Sequence, residues 1–190
     1  MKKIIIGVSG NVGSFSEEAA RDYARKNNLK DYDLAYLISV EKVLTALSEG
    51  KIDKGIFPIE NSNGGIVIEA VYAMAKHTFS IEGIFEIDVR HCLLIKPGAK
   101  AAGIKKICSH QQALKQCRMY LKRRWGETEL VEYEDTAQAA KDLSEGKFNN
   151  GDVAVIAPAR CADIYGLEIL EEGIQDLKFN FTSFICGTNE

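Results

Sequence analysis

Short polar side chains recur in this 190-residue chain just after short apolar runs and just before helical patterns. Ser14 follows Ile4-Ile5-Ile6-Gly7-Val8, and Glu60-Asn61-Ser62 follow Gly55-Ile56-Phe57. Ser109-His110 follow Lys105-Lys106-Ile107-Cys108, and Thr136 follows Leu130-Val131-Glu132-Tyr133. In parallel α/β units the loops after the strands, and the helix starts they feed, line the ligand crevice. The first amides of a helix lack partners and lie at the positive end of its dipole, which suits an anion. Hydroxyls, an amide and helix amides with few formal cations therefore point to a small anionic ligand held by hydrogen bonds. Taken singly, each residue is better explained as a helix cap, and His110 as a satisfied loop histidine. Only their joint placement suggests a site. There is no GxGxxG, and no GxxxxGK followed by Ser or Thr, which disfavours a dinucleotide or a nucleoside triphosphate.

The elements that must position these residues follow from apolar spacing. Ile4 to Val8 reads as a buried parallel strand, and Ser14-Phe15-Ser16-Glu17 as a capping box opening a helix through about Lys26. Leu34 to Leu37 is a second strand, and Val40, Val43, Leu44 and Leu47 share a helix face that stops at Gly50. Ile52 to Ile59 holds a third strand, which Pro58 should end because it cannot donate to a ladder. Asn61 to Gly65 then reads as a polar turn into a helix carrying Ile66, Ile68, Val71, Tyr72 and Ala75.

The order of elements then repeats. Lys105 to Cys108 is a strand, and Ser109-His110-Gln111-Gln112 opens a helix carrying Ala113, Leu114, Cys117 and Leu121. Leu130 to Tyr133 is a strand, Asp135-Thr136 opens the next helix, and Val153 to Ala157 is a strand. That helix ends in Leu143-Ser144-Glu145-Gly146-Lys147, identical to Leu47-Ser48-Glu49-Gly50-Lys51. The repeat implies an α/β protein of two similar lobes. Residues 1–80 with 166–190 form the first lobe and 81–165 the second. Ile81 to Ile95 reads as one long strand crossing between lobes, with Phe179 to Gly187 as its partner and the route back. Two crossings enclose a central cleft, where small ligands usually sit.

Bulk properties exclude several classes. Hydrophobic residues make up 46% and charged residues 27%, with a net charge of −3, which describes a globular domain without a nucleic-acid or anionic-membrane footprint. Lys122-Arg123-Arg124, the one basic run, falls where it favours a helix C-terminus. The apolar run after Met1-Lys2-Lys3 is too short for a signal peptide, and no stretch is long enough to span a bilayer. Five cysteines without CxxC spacing argue for reduced thiols in a cytoplasmic protein, and His77, His91 and His110 form no metal-ligand pattern with them.

Several segments, in order, carry a resemblance. They are Gly10-Asn11-Val12-Gly13-Ser14-Phe15-Ser16 with Ala19-Ala20, then Pro58-Ile59-Glu60-Asn61-Ser62 and His91-Cys92-Leu93-Leu94. Ser109-His110-Gln111-Gln112-Ala113-Leu114 with Gln116-Cys117, and Thr136-Ala137 with Ala139-Ala140, continue it. Tyr165-Gly166-Leu167, Ile174-Gln175-Asp176 and Asn180-Phe181-Thr182-Ser183-Phe184 complete it. Together they resemble the catalytic domain of prephenate dehydratase along essentially the whole chain.

The resemblance implies a type II periplasmic-binding-protein-like fold, an active site in the cleft, and a homodimer. It implies decarboxylative dehydration of prephenate to phenylpyruvate in phenylalanine biosynthesis, without a cofactor or metal. Thr182 would be the catalytic residue, acting on the leaving hydroxyl. Ser14, Glu60, Asn61, Ser62, Ser109, His110, Thr136, Asn180, Ser183 and Phe184 would bind the substrate. The chain departs from the family in four ways. The Thr-Arg-Phe motif reads Thr182-Ser183-Phe184, removing a cation whose hydrogen bond to a carboxylate is worth about 1.5–3 kcal/mol. Gln111 replaces the proline usual after Ser-His, and Asn11-Val12 replaces a Pro-Glu pair. The chain has no room for the regulatory ACT domain that commonly follows, so phenylalanine feedback through one is not expected. A prephenate decarboxylase, an arogenate dehydratase and a catalytically silent anion-binding paralogue are the alternatives.

Overall fold

A computed structural model describes residues 3–148 and 151–189. The chain divides into two compact units, one made of residues up to Asp88 together with those from Phe181, the other of Val89–Asn180. Those boundaries fall 8 and 15 residues later than the sequence suggests (88 against 80, 180 against 165). The segments 81–88 and 166–180 each complete a sheet with the unit that precedes the crossing, which the apolar pattern alone does not reveal. The outermost residues assigned to the first lobe, 1, 2 and 190, lie outside the described residues.

The first unit contains β1 (Ile4–Val8), α1 (Phe15–Lys26), β2 (Tyr32–Tyr36), α2 (Val40–Ser48) and β3 (Lys54–Asn61). It continues with β4 (Gly65–Ile66), α3 (Ile68–Met74) and β5 (Ser80–Asp88). The second contains β6 (His91–Ile95), β7 (Lys106–Ser109), α4 (Gln111–Gln116), α5 (Arg118–Arg124) and β8 (Glu129–Glu132). Then come α6 (Thr136–Ser144), β9 (Val153–Pro158), α7 (Arg160–Tyr165) and β10 (Glu168–Glu172), and β11 (Phe181–Thr188) returns to the first unit.

The two sheets have the same plan. The first runs β2-β1-β3-β11-β5, with β4 beside β3; the second, read in the same direction, runs β8-β7-β9-β6-β10. In each, the first three strands are parallel and the last two antiparallel to their neighbours. The strand after the parallel three is the one that has just crossed from the other unit. The repeated pentapeptide has one job in both places. Gly50 (φ 67°) and Gly146 (φ 76°) take left-handed conformations after α2 and α6. Lys51 N then donates to Ala46 O and Lys147 N to Asp142 O, the six-to-one bond of a Schellman cap.

Apolar stripes seat each sheet. Val40, Val43, Leu44 and Leu47 of α2 pack with Phe57 and Ile185. In the second unit one core forms around α6 and another around α4 and α5.

Four local expectations change. β3 continues through Pro58 to Asn61, because the register opposite β11 shifts so that Ser183 faces Glu60 and Phe184 faces Pro58. Ile59 is the extra residue of a bulge, where the missing donor of Pro58 costs little. Asn61 to Gly65 is a hairpin turn into β4, not a helix entry, and α3 starts at Ile68 after an uncapped Val67. The helix buries Ala70 and Ala73, leaving Ile66, Ile68, Val71 and Tyr72 exposed. The single long strand expected over 81–95 is two strands, β5 and β6, parted at Val89-Arg90. The helix expected after His110 breaks at Cys117, where Asp176 supplies a new cap. Its carboxylate accepts from Met119 N at 2.7 Å and Tyr120 N at 2.8 Å.

Candidate active site

At the C-terminal edge of the parallel strands in the first unit, Asn61 ends β3 beside the start of β11. Its Nδ2 donates to Thr182 Oγ1 at 2.9 Å and to Phe181 O at 3.1 Å. Its Oδ1 accepts from Asn63 N at 2.9 Å and Gly64 N at 2.7 Å, folding the hairpin turn around the side chain. Both donors and both acceptor positions of the carboxamide are thus in use. Ser62 completes the clamp: its N donates to Phe181 O at 2.8 Å and its Oγ accepts from Phe181 N at 3.0 Å. Thr182 is only 8% exposed, and its hydroxyl accepts from Asn61. A hydroxyl that accepts from an amide keeps its own proton to donate. The geometry suits donation to a developing hydroxide or alkoxide.

Ser183, the next residue, leaves the opposite face of the sheet, as alternation requires. It lies opposite Glu60 of β3 and Glu86 of β5, and donates to Glu86 Oε1 at 3.2 Å. The cation absent at this position is therefore absent from the face away from Thr182. Glu60 belongs to that row as well, so neither residue joins the Asn61–Thr182 group. Phe184 returns to the Thr182 face but is a core residue, 1% exposed, stacked 6.1 Å from Phe85.

Ser14 caps α1, accepting from Glu17 N at 3.3 Å, while Glu17 reaches back to Gly13 N at 2.6 Å. A Cβ at Gly10 would lie 2.4 Å from Ser14 Oγ, so only glycine admits this turn. The buried Glu17 carboxylate, held also by Arg21 at 2.6 Å, thus ties the turn before the cap to the first turn of the helix. Ser14 and the Asn61 group share the strand edge.

In the second unit Ser109 is fully buried and donates to Ile156 O at 2.7 Å, tying β7 to β9. That bond uses the proton of its hydroxyl and leaves the oxygen as an acceptor. His110 is the exposed N-cap of α4, its Nδ1 accepting from Gln112 N at 3.3 Å. Thr136 is the first residue of α6, half-buried, and the cap is Asp135, whose Oδ1 accepts from Gln138 N at 2.7 Å. Asn180 is fully buried and donates to Gln116 Oε1 at 2.9 Å. His91 Nε2 lies 2.7 Å from the same oxygen. Gln116, His91 and the main chain of Phe181 carry no role in the sequence reading. The signal was there, since Gln116 and His91 both fall in segments that carry the family resemblance. All five cysteines are buried thiols, and no group of three His, Cys, Asp or Glu among the described residues could hold a metal ion. No helix among them is long and apolar enough to cross a membrane.

Two α/β units of one strand order define the class. A periplasmic substrate-binding protein of an ABC transporter from Coxiella burnetii has this fold, with a TM-score of 0.52 at 14% identity over 97% of this chain and 84% of that one. Nearer likeness is to a prephenate dehydratase of Arthrobacter aurescens solved in complex with L-Phe. Its TM-score is 0.88 at 25% identity, over 98% of this chain and 61% of that one. The chain belongs to the prephenate dehydratase family, whose model matches residues 6–190. Arogenate dehydratase/prephenate dehydratase 6 of Arabidopsis thaliana, a chloroplastic protein, is 34% identical over 188 residues. The match takes in 97% of this chain and 43% of that protein, so the chain spans less than half the length of this relative.

Proposed function

We propose that this chain catalyses the decarboxylative dehydration of prephenate to phenylpyruvate. The Thr182 hydroxyl, held by Asn61 with its proton available, is the observation that supports this most directly. In the reaction the bond from the ring to its carboxylate breaks, and its electron pair moves through the diene to expel the 4-hydroxyl. The products are carbon dioxide, an aromatic ring and hydroxide, which leaves as water after gaining a proton. Aromatisation supplies the driving force, and no electron acceptor enters the balance. Thr182 donates to the departing oxygen where negative charge develops, the kind of preorganised stabilisation that contributes most when its donor is already oriented. Asn61 orients that donor, and Ser62 holds the intervening Phe181. Ser14, at a helix start on the same strand edge of the first unit, is the candidate for a substrate carboxylate. Ser183 and Glu60 are outside this group.

Arogenate, which carries an amine where prephenate has a keto group, is the second substrate to consider, because the Arabidopsis relative is named for both activities. The proposal includes a cytoplasmic homodimer, which buried thiols and an exposed apolar α3 support and which sedimentation or light scattering would check. The functional test is incubation with prephenate and, separately, with arogenate, with products identified by mass and ultraviolet absorbance. Phenylpyruvate or phenylalanine above the spontaneous background is the expected result. A decarboxylated product that keeps its hydroxyl, or binding without turnover, would overturn it.

A further inference from the structure

Ile38 lies in the loop between β2 and α2 with a backbone φ of 71°. Ser39 N donates to Leu37 O at 2.8 Å, which closes a three-residue turn around it. With positive φ that is the rare, strained form of the γ-turn. A β-branched side chain adds to the strain, because Cβ crowds the following carbonyl. Among the described residues Asn28 (φ 55°) is the other non-glycine residue of positive φ, and asparagine tolerates it.

The fold does not demand this strain. The second unit builds the same connection from Tyr133, Glu134 and Asp135, again three residues between a strand and a helix. Ser39 caps α2 by accepting from Lys42 N at 3.3 Å, and Asp135 caps α6 by accepting from Gln138 N at 2.7 Å. The two helices end in the same pentapeptide, which makes Glu134 the counterpart of Ile38. Yet Glu134 has no positive φ. Strain that the same connection avoids elsewhere needs a local reason, and strained residues gather at ligand sites.

Ile38 stands at such a place. β2, β1 and β3 are adjacent and parallel, so the loops after them share the edge that carries Ser14 and Asn61. Leu37 N donates to Val8 O at 2.9 Å, which ties the Ile38 loop to the end of β1. Ile38 is 44% exposed, and Val12, in the loop after β1, 38%. Two apolar residues are thus exposed at an edge whose candidate ligand groups, Ser14, Asn61 and Thr182, are polar. Prephenate joins two carboxylates to an unsaturated six-membered ring, and the ring carbons are its apolar surface.

We propose that Ile38 is a specificity-determining residue: its strained turn holds an apolar side chain against the ring of the substrate, while hydrogen bonds serve the carboxylates. This rests on the reading of the chain as a dehydratase that binds prephenate at this edge.

The test compares Ile38→Ala, Ile38→Gly and Ile38→Val. Alanine and glycine both remove the apolar contact, so each should raise KM for prephenate about tenfold. The value of kcat should move less than about threefold, because the contact is made alike in ground and transition states. Valine, one methylene smaller, should raise KM by less than about threefold. Glycine also relieves the turn, so its unfolding midpoint should exceed that of alanine. Competing anions separate contact from structure. Ile38→Ala should weaken inhibition by phenylpyruvate, which has a ring, about tenfold and leave that by pyruvate, which has none, unchanged. KM unmoved in the alanine protein, or equal weakening of both anions, would overturn the proposal. A glycine midpoint no higher than that of alanine would remove the strain on which it stands. A wild-type protein that turns over neither prephenate nor arogenate would sink the functional reading instead. Calorimetry with prephenate would then decide the role of Ile38: tighter binding by wild type than by Ile38→Ala supports it, and equal or absent binding overturns it.

Discussion

Thr182 and Ser183 are adjacent in β11, yet they belong to two different chemical settings. Thr182 lies in a buried row with Asn61, where a neutral amide aims a neutral hydroxyl. Ser183 lies in an exposed row between Glu60 and Glu86, where two carboxylates flank a small hydroxyl. The first row has satisfied donors and a proton left to give; the second has negative charge and no cation in its ladder positions. One pleat divides them. A motif read along the chain as Thr-Ser-Phe is therefore the proposed catalytic residue, a residue on the other face, and a core residue.

This comparison can be broken or sharpened by substitution. The largest effect should come from Thr182→Val, which keeps the shape and removes the donor. Turnover should fall by about 10²–10⁴-fold, the usual contribution of a positioned proton donor, measured as product release at saturating substrate. It should also cost about 1–3 kcal/mol in denaturant unfolding, because an Asn61 N–H loses its acceptor. Thr182→Ser should recover part of both.

Asn61→Ala comes next. It removes the group that aims Thr182 and the acceptor for the amides of Asn63 and Gly64. Turnover should fall roughly tenfold to a hundredfold, less than for Thr182→Val because the hydroxyl remains. Proteolysis of the 61–65 turn should become faster.

Acidification should have a smaller effect, and on stability. His91 has a folded pKa below its reference of 6.5, caused first by burial, and Glu82 one below its reference of 4.5, caused first by the hydrogen bond from Lys54. For both, the unfolded chain binds protons more readily, so stability rises with pH. The His91 contribution is full above about pH 6.5 and is lost as pH falls through its folded value; that of Glu82 goes at lower pH. Thermal melts taken from neutral to acidic pH should show two successive declines, and His91→Gln should flatten the first.

The smallest effect should be that of Ser183→Arg. A guanidinium there would pair across the strands with Glu60 and Glu86, raising the unfolding midpoint slightly. It would leave turnover within about threefold, since the side chain points away from Thr182.

Much of this architecture was legible in the sequence. The repeated Leu-Ser-Glu-Gly-Lys marks the same left-handed helix stop in two sheets of one strand order, and the spacing of Ser14 and Glu17 marks a true helix start. What escaped depends on partners distant in the chain. Pro58 reads as a strand end until the bulge opposite Ser183 is known, and the break at Cys117 depends on Asp176. Ser109 resembles a loop hydroxyl until Ile156 is placed beside it. Which face Ser183 occupies follows from alternation, but that Glu60 and Glu86 flank it needed the register.

The most direct measurement is the rate of phenylpyruvate formation from saturating prephenate by Thr182→Val and Ser183→Arg proteins, side by side with wild type. The two-face account predicts near-complete loss in the first and near-normal turnover in the second. Activity retained by Thr182→Val, or abolished by Ser183→Arg, would mean that the chemistry uses the other face of the sheet.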